Sequence, residues 1–119
     1  MRAKDALGRY GEDVAARHLA AAGLVIVERN WRCDSGEIDI VARDGDALVV
    51  CEVKTRTGVG FGHPAEAVTP RKGVRLRHLA TRWLAAHEVH PAEIRFDVVS
   101  VLRPRRGPAQ VEHIRGVLG

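Results

Sequence analysis

The residues of this chain best suited to chemistry lie between Gly36 and Thr57, in GEIDIVARDGDALVVCEVKTRT. Asp39, Glu52 and Lys54 offer two carboxylates and an amine in a stretch otherwise rich in branched apolar residues. Apolar-rich runs at 37–43 and 46–54 flank Asp44-Gly45. Asp-Gly between such runs favours a tight hairpin, because a type I′ turn requires positive φ at both central residues. A two-residue loop pairs Arg43 with Asp46, which sets Asp39 opposite Val50 and Glu37 opposite Glu52. One face then reads Ile38, Ile40, Ala42, Ala47, Val49, Cys51 and Val53. The other carries Val41, Leu48 and Val50 near the turn, and Asp39, Glu37, Glu52 and Lys54 toward the open end.

Carboxylates gathered on one half of an otherwise apolar hairpin repel one another, and desolvating them is costly unless positive charge lies among them. A divalent cation with Lys54 alongside resolves that repulsion. A wet, solvated strand edge resolves it as well, and the short D…ExK spacing alone does not choose between the two.

At 119 residues, with 45% hydrophobic and 29% charged residues, the chain has the size and balance of one globular domain with its own core. No apolar run reaches the length of a membrane span, and the N-terminal MRAKDALGRYGED lacks the apolar middle of a signal peptide. The expectation is a cytoplasmic protein without membrane contact. Cys33 and Cys51 form no CxxC pair, Cys51 reads as a small buried hydrophobe, and the six histidines lack zinc-ligand spacing. The net charge of +4 is nearly all arginine, the lysines being Lys4, Lys54 and Lys72. Such a balance suits a polyanionic partner and equally suits an arginine-rich genome.

The elements that must position these groups follow in order. Residues 5–22 read as an amphipathic helix whose stripe is Leu7, Gly11, Val14, Ala15, His18 and Ala22, with Glu12 and Leu19 at its edge. Gly8 and Gly11 are poor helix formers that make sense where something packs closely on the helix. Glu12 on its own reads as an ordinary boundary glutamate. Leu24–Trp31 is the first strand and the hairpin supplies the next two. The G-x-G-x-G at 58–62 has the wrong spacing for a phosphate loop and reads as a flexible loop beside the site. Thr69-Pro70 caps a helix reaching about Glu88, with Leu76, Leu79, Ala80, Trp83 and His87 inward and Lys72 one turn earlier on the same stripe. Arg71, Arg75, His78 and Arg82 share another face, suited either to phosphate contacts or to solvent. Ile94–Leu102 is a largely covered strand in which Asp97 reads as hydrogen-bonded structure. A basic turn at 103–108 leads to a short edge strand. The order α-β-β-β-α-β-β describes a mixed sheet flanked by helices, an α/β fold.

These residues carry a family resemblance over almost the whole chain. The pieces are Gly8-x-x-Gly11-Glu12, Asn30, Gly36-Glu37-Ile38-Asp39, Glu52-Val53-Lys54-Thr55-Arg56, Phe61-Gly62, Lys72 and Arg95-Phe96-Asp97. Together and in this order the chain resembles the YraN-like family of bacterial proteins, placed among the PD-(D/E)xK nucleases with a restriction-endonuclease-like fold. Within that group it is most similar to Holliday junction resolvases. The resemblance implies a Mg²⁺- or Mn²⁺-dependent endonuclease acting on DNA, with branched or structured DNA in repair or recombination as the implied substrate. It implies Asp39 and Glu52 as metal-binding carboxylates with the Val53 backbone carbonyl, Lys54 as the catalytic lysine, and Glu12 as a further acidic member. Lys72, Arg71, Arg75, Arg82 and Arg56 would hold nucleic acid, a homodimer would serve paired cuts, and no small-molecule cofactor is implied. The proline of the superfamily name is Ile38 here, a change that touches no ligand. A nucleic-acid-binding protein that keeps the fold without cutting is the rival expectation.

Overall fold

The structure is a computed structural model that describes residues 5–57 and 68–118. Its elements are α1 (Ala6–Ala21), β1 (Val25–Cys33), β2 (Gly36–Asp44), β3 (Ala47–Arg56), α2 (Pro70–His87), β4 (Glu93–Leu102) and β5 (Gln110–Ile114). The strands form one sheet in the order β1-β2-β3-β4-β5, in which β3 and β4 run parallel and every other neighbour is antiparallel. A parallel neighbour demands a crossover, and α2 supplies it. The expected mixed sheet in the order α-β-β-β-α-β-β is the one that forms.

The hairpin differs in register from the expectation. Asp44 pairs with Ala47 and Arg43 with Leu48, so the turn residues are Gly45 and Asp46 rather than Asp44 and Gly45. Gly45 has φ +60 and Asp46 is not left-handed, which fits a type II′ turn instead of type I′. Asp44 is drawn into the strand because its carboxylate accepts from Arg95 Nη1 of β4 at 3.0 Å. An even shift keeps each side chain on its face, but it brings Asp39 to the level of Glu52 instead of Val50.

The sheet separates two apolar layers. Ala15, Leu19, Leu24, Ile40, Val49, Cys51 and Val99 lie on the α1 side, and Val41, Leu48, Val50, Leu76, Leu79 and Trp83 on the α2 side. Ile38, expected on the face of Ile40, instead packs in the α2 layer. The pleat breaks between them, across from Asn30, whose φ is +56.

Helix α1 is capped by Asp5, whose Oδ1 accepts from Gly8 N at 2.7 Å. Its buried stripe is rotated from the expected one: Gly11, Glu12, Ala15, Ala16 and Leu19 face inward, while His18 and Ala22 are exposed. The rotation follows from Gly11, which packs so closely on Thr55 of β3 that a Cβ there would lie 1.8 Å from Thr55 Oγ1. Helix α2 begins as expected, with Thr69 Oγ1 accepting from Lys72 N and Pro70 in its first turn. Leu76, Leu79, Ala80 and Trp83 are buried, and His87 stacks on Trp83 with ring centroids 4.0 Å apart.

In the middle of β4, Asp97 is buried and structural. Arg95 donates to both of its oxygens at 3.0 Å, His113 Nε2 lies 2.7 Å from Oδ2, and Gly116 N donates to Oδ1 at 3.0 Å. Burial alone would raise its pKa; Arg95, the Gly116 amide and His113 outweigh it and hold the carboxyl below the usual aspartate value.

Candidate active site

The β2–β3 ladder ends at Ile40 and Cys51. Past that pair the two strands are joined by a side chain, because Asp39 Oδ2 accepts from Val53 N at 2.9 Å. Glu52 and Lys54 project from β3 toward α2, where Lys72 of the first helical turn meets them. Lys72 Nζ lies 2.8 Å and Lys54 Nζ 3.6 Å from Glu52 Oε1. The other oxygen, Glu52 Oε2, is buried and has no hydrogen-bond partner among the described residues. Asp39 and Glu52 share a cleft of about 430 Å³, lined also by Arg32, Glu37, Ile38 and Arg75.

Two ammonium groups against one carboxylate oxygen make an unequal local balance. Burial first, and then the neighbouring Lys72 ammonium, pull the Lys54 pKa below its ordinary value; the Glu52 carboxylate acts in the opposite direction. Chemically, the cleft is lined by the carboxylates of Glu37, Asp39 and Glu52 and by the guanidinium groups of Arg32 and Arg75, hard oxygen donors beside cationic ones. Among the described residues, no three His, Cys, Asp or Glu side chains gather closely enough to hold a metal ion.

Glu12 is not an ordinary boundary residue: it is 1% exposed. Its Oε1 accepts from Asn30 Nδ2 at 2.6 Å and from Arg29 Nη2 at 3.2 Å, which places it on the α1 side of the sheet, outside any three-ligand cluster with Asp39 and Glu52. The arginines separate into distinct roles. Arg75 lines the cleft and Arg71 is exposed in the first turn of α2, whereas Arg82 donates to Asp34 Oδ1 at 2.8 Å and to Ser35 Oγ at 3.1 Å. Ser35 also meets His78 Nε2 at 3.1 Å, so the far part of the basic stripe clasps the β1–β2 turn. Arg56 is half-buried at the end of β3, and its carbonyl accepts from Arg103 N at 2.8 Å. The glycines of 58–62, and the Phe61-Gly62 pair with them, lie outside the described residues.

Two features were not read from the sequence. The Lys72–Glu52 ion pair needs α2 placed on the sheet, which no local pattern specifies. The other is Arg32, which stands across from Glu37 in the β1–β2 ladder, with Nε 3.3 Å from Glu37 Oε2. Opposite charges at directly paired positions were the available signal.

Fold and cleft thus define a small α/β domain with an acid-and-lysine site at the open end of a hairpin. Residues 11–101 match the model of the family described as "Uncharacterised protein family UPF0102". A UPF0102 protein of Beutenbergia cavernae is 65% identical over 117 residues, covering 98% of this chain and 99% of that one. One from Frankia alni is 64% identical over 116 residues, covering 98% and 97%. One from Streptomyces coelicolor is 60% identical over 119 residues, covering 98% and 92%. The chain belongs to the UPF0102 family. Among the described residues no helix is long and apolar enough to cross a membrane.

Proposed function

We propose that the cleft hydrolyses phosphodiester bonds in DNA with Mg²⁺ or Mn²⁺ bound, as an endonuclease of the PD-(D/E)xK type. The observation that carries this reading is Glu52 Oε2, a buried carboxylate oxygen without a hydrogen-bond partner among the described residues, in the cleft that Asp39 also lines. Withdrawing such an oxygen from water without a partner is costly, and a hard cation supplies the partner. Asp39, Glu52 and the Val53 carbonyl are the groups that would hold it. When bound, the ion lowers the pKa of a coordinated water and neutralises charge developing on the phosphate.

The chain's own groups do the rest. Lys54 donates to charge developing at the attacked phosphate, an interaction stronger in the transition state than before it. Lys72, 2.8 Å from Glu52 Oε1, orients that carboxylate. Arg71 and Arg75 grip backbone phosphates without reading bases. Branched DNA as the substrate, in repair or recombination, rests on likeness of fold, and a homodimer follows if two symmetric cuts are made.

The second reading is a nucleic-acid-binding protein that does not cut. It is favoured by the two lysines at Glu52, which supply more than its counter-charge without a metal. Labelled duplex, single-stranded and four-way-junction DNA incubated with Mg²⁺ or Mn²⁺ separates the two. Cutting that disappears in Asp39→Ala and Glu52→Ala supports the nuclease. Binding to DNA that survives both changes, with no cutting of any substrate, supports the binding protein.

A further inference from the structure

We infer that Asn30 is the positioning residue for Asp39 and that Glu12 secures Asn30 in that task; the functional weight of this rests on the reading of Asp39 as a site carboxylate. Arg29 pairs with Ile40 and Trp31 with Ile38, so the register sets Asn30 across from Asp39. Residues two apart on a strand ordinarily share a face. Here they do not. Ile40 packs in the α1 layer and Ile38 in the α2 layer. On β1, Arg29 reaches Glu12 of α1 while Trp31 packs against the α2 layer. Both strands therefore reverse their faces at the level of Asn30 and Asp39.

Asn30 carries the backbone signature of that reversal. Its φ of +56 is left-handed, a conformation asparagine tolerates and most side chains avoid. Its Nδ2 donates to Glu12 Oε1 at 2.6 Å, so a buried carboxylate on α1 fixes the amide and with it the local direction of β1. β2 follows its partner, and the consequence falls on Asp39. A regular pleat would stand its carboxylate upright on the face of Val41. At the reversal it reaches sideways to β3, where Oδ2 takes the Val53 amide beyond the last backbone pair. The same contact sets Asp39 beside Glu52 at the cleft.

The test reads the Val53 amide by ¹⁵N–¹H NMR and hydrogen exchange on the full chain. In Asn30→Ala, exchange at Val53 should rise about tenfold or more relative to Val49 and Val50, whose ladder bonds lie away from the reversal. Asn30→Gly, which retains the left-handed conformation without the amide, should give a smaller rise, and it carries the test if Asn30→Ala does not fold. Glu12→Ala should reproduce the Asn30→Ala effect and Glu12→Gln, which still offers an acceptor, should restore protection. An unchanged Val53 amide in Asn30→Ala overturns the inference. So does an equal acceleration at all sheet amides, which would assign Asn30 to global stability. Mn²⁺ uptake by the wild type is read in parallel: its absence counts against the metal-site reading and leaves Val53 as the measure of Asn30.

Discussion

Replacing Gly11 by alanine tests whether the close approach of α1 to β3 holds the site-bearing end of the sheet. Gly11 precedes Glu12, and the residue it touches, Thr55, follows Lys54. An added Cβ would lie 1.8 Å from Thr55 Oγ1, 2.7 Å from Cγ2 and 2.8 Å from Cβ. Rotating Thr55 exchanges its hydroxyl and methyl but leaves its Cβ where it is, so no rotamer clears the contact. Overpacking costs about 1–3 kcal/mol, and with three atoms involved the upper end applies. Alanine in a helix interior recovers about 1 kcal/mol relative to glycine. The net expected loss is about 2 kcal/mol, or about 8 °C in Tm for a domain of this size. Thermal unfolding of Gly11→Ala, Thr55→Gly and the double variant measures the coupling, expected at about 2–3 kcal/mol because glycine at 55 clears the space. A Gly11→Ala chain as stable as the wild type would refute the reasoning: helix propensity would then outweigh the contact.

Further outcomes follow from other groups. Asp97 has a depressed folded-state pKa, so its contribution to stability is present above the ordinary aspartate value and is lost as pH falls through the lower one. Asp97→Asn should flatten the acid limb of a stability–pH profile and, by leaving Arg95 and His113 short of their partner, cost about 3–5 kcal/mol in urea unfolding near neutrality. Lys54→Ala should lower the rate of DNA cutting by about 10²–10³ with little change in DNA affinity, measured by single-turnover kinetics and fluorescence anisotropy. Arg71→Ala and Arg75→Ala should each reduce the slope of log affinity against log salt by about 1, while Arg82→Ala, whose guanidinium is already held by Asp34, should leave it nearly unchanged.

Periodicity carried most of the fold. The order of elements, the Thr69-Pro70 start of α2 and its Leu76–Trp83 stripe depend on local chemistry and were legible. The hairpin register was not, because Asp44 joins β2 through Arg95, a residue of a strand 51 positions away. The rotation of α1 escaped for a similar reason: Leu19 and Glu12 are inside because Gly11 meets Thr55 and because Glu12 finds donors in Asn30 and Arg29 of β1. At the site, the gathering of Asp39 and Glu52 at the open end of the hairpin was legible, since an even slip in register leaves both there. The Lys72 contact to Glu52 and the reversal at Asn30 were not, since one needs the docking of α2 and the other a single left-handed residue that no alternation pattern announces.

Hydrolysis at this cleft requires Asp39 and Glu52 to hold a divalent ion together. Crystals equilibrated with Mn²⁺ and measured at a wavelength where manganese scatters anomalously test it most directly. The expected result is an anomalous peak within bonding distance of Asp39 and Glu52 Oε2, absent in Asp39→Ala. A cleft without a peak at saturating Mn²⁺, with Glu52 still held by Lys72 and Lys54 alone, would contradict it.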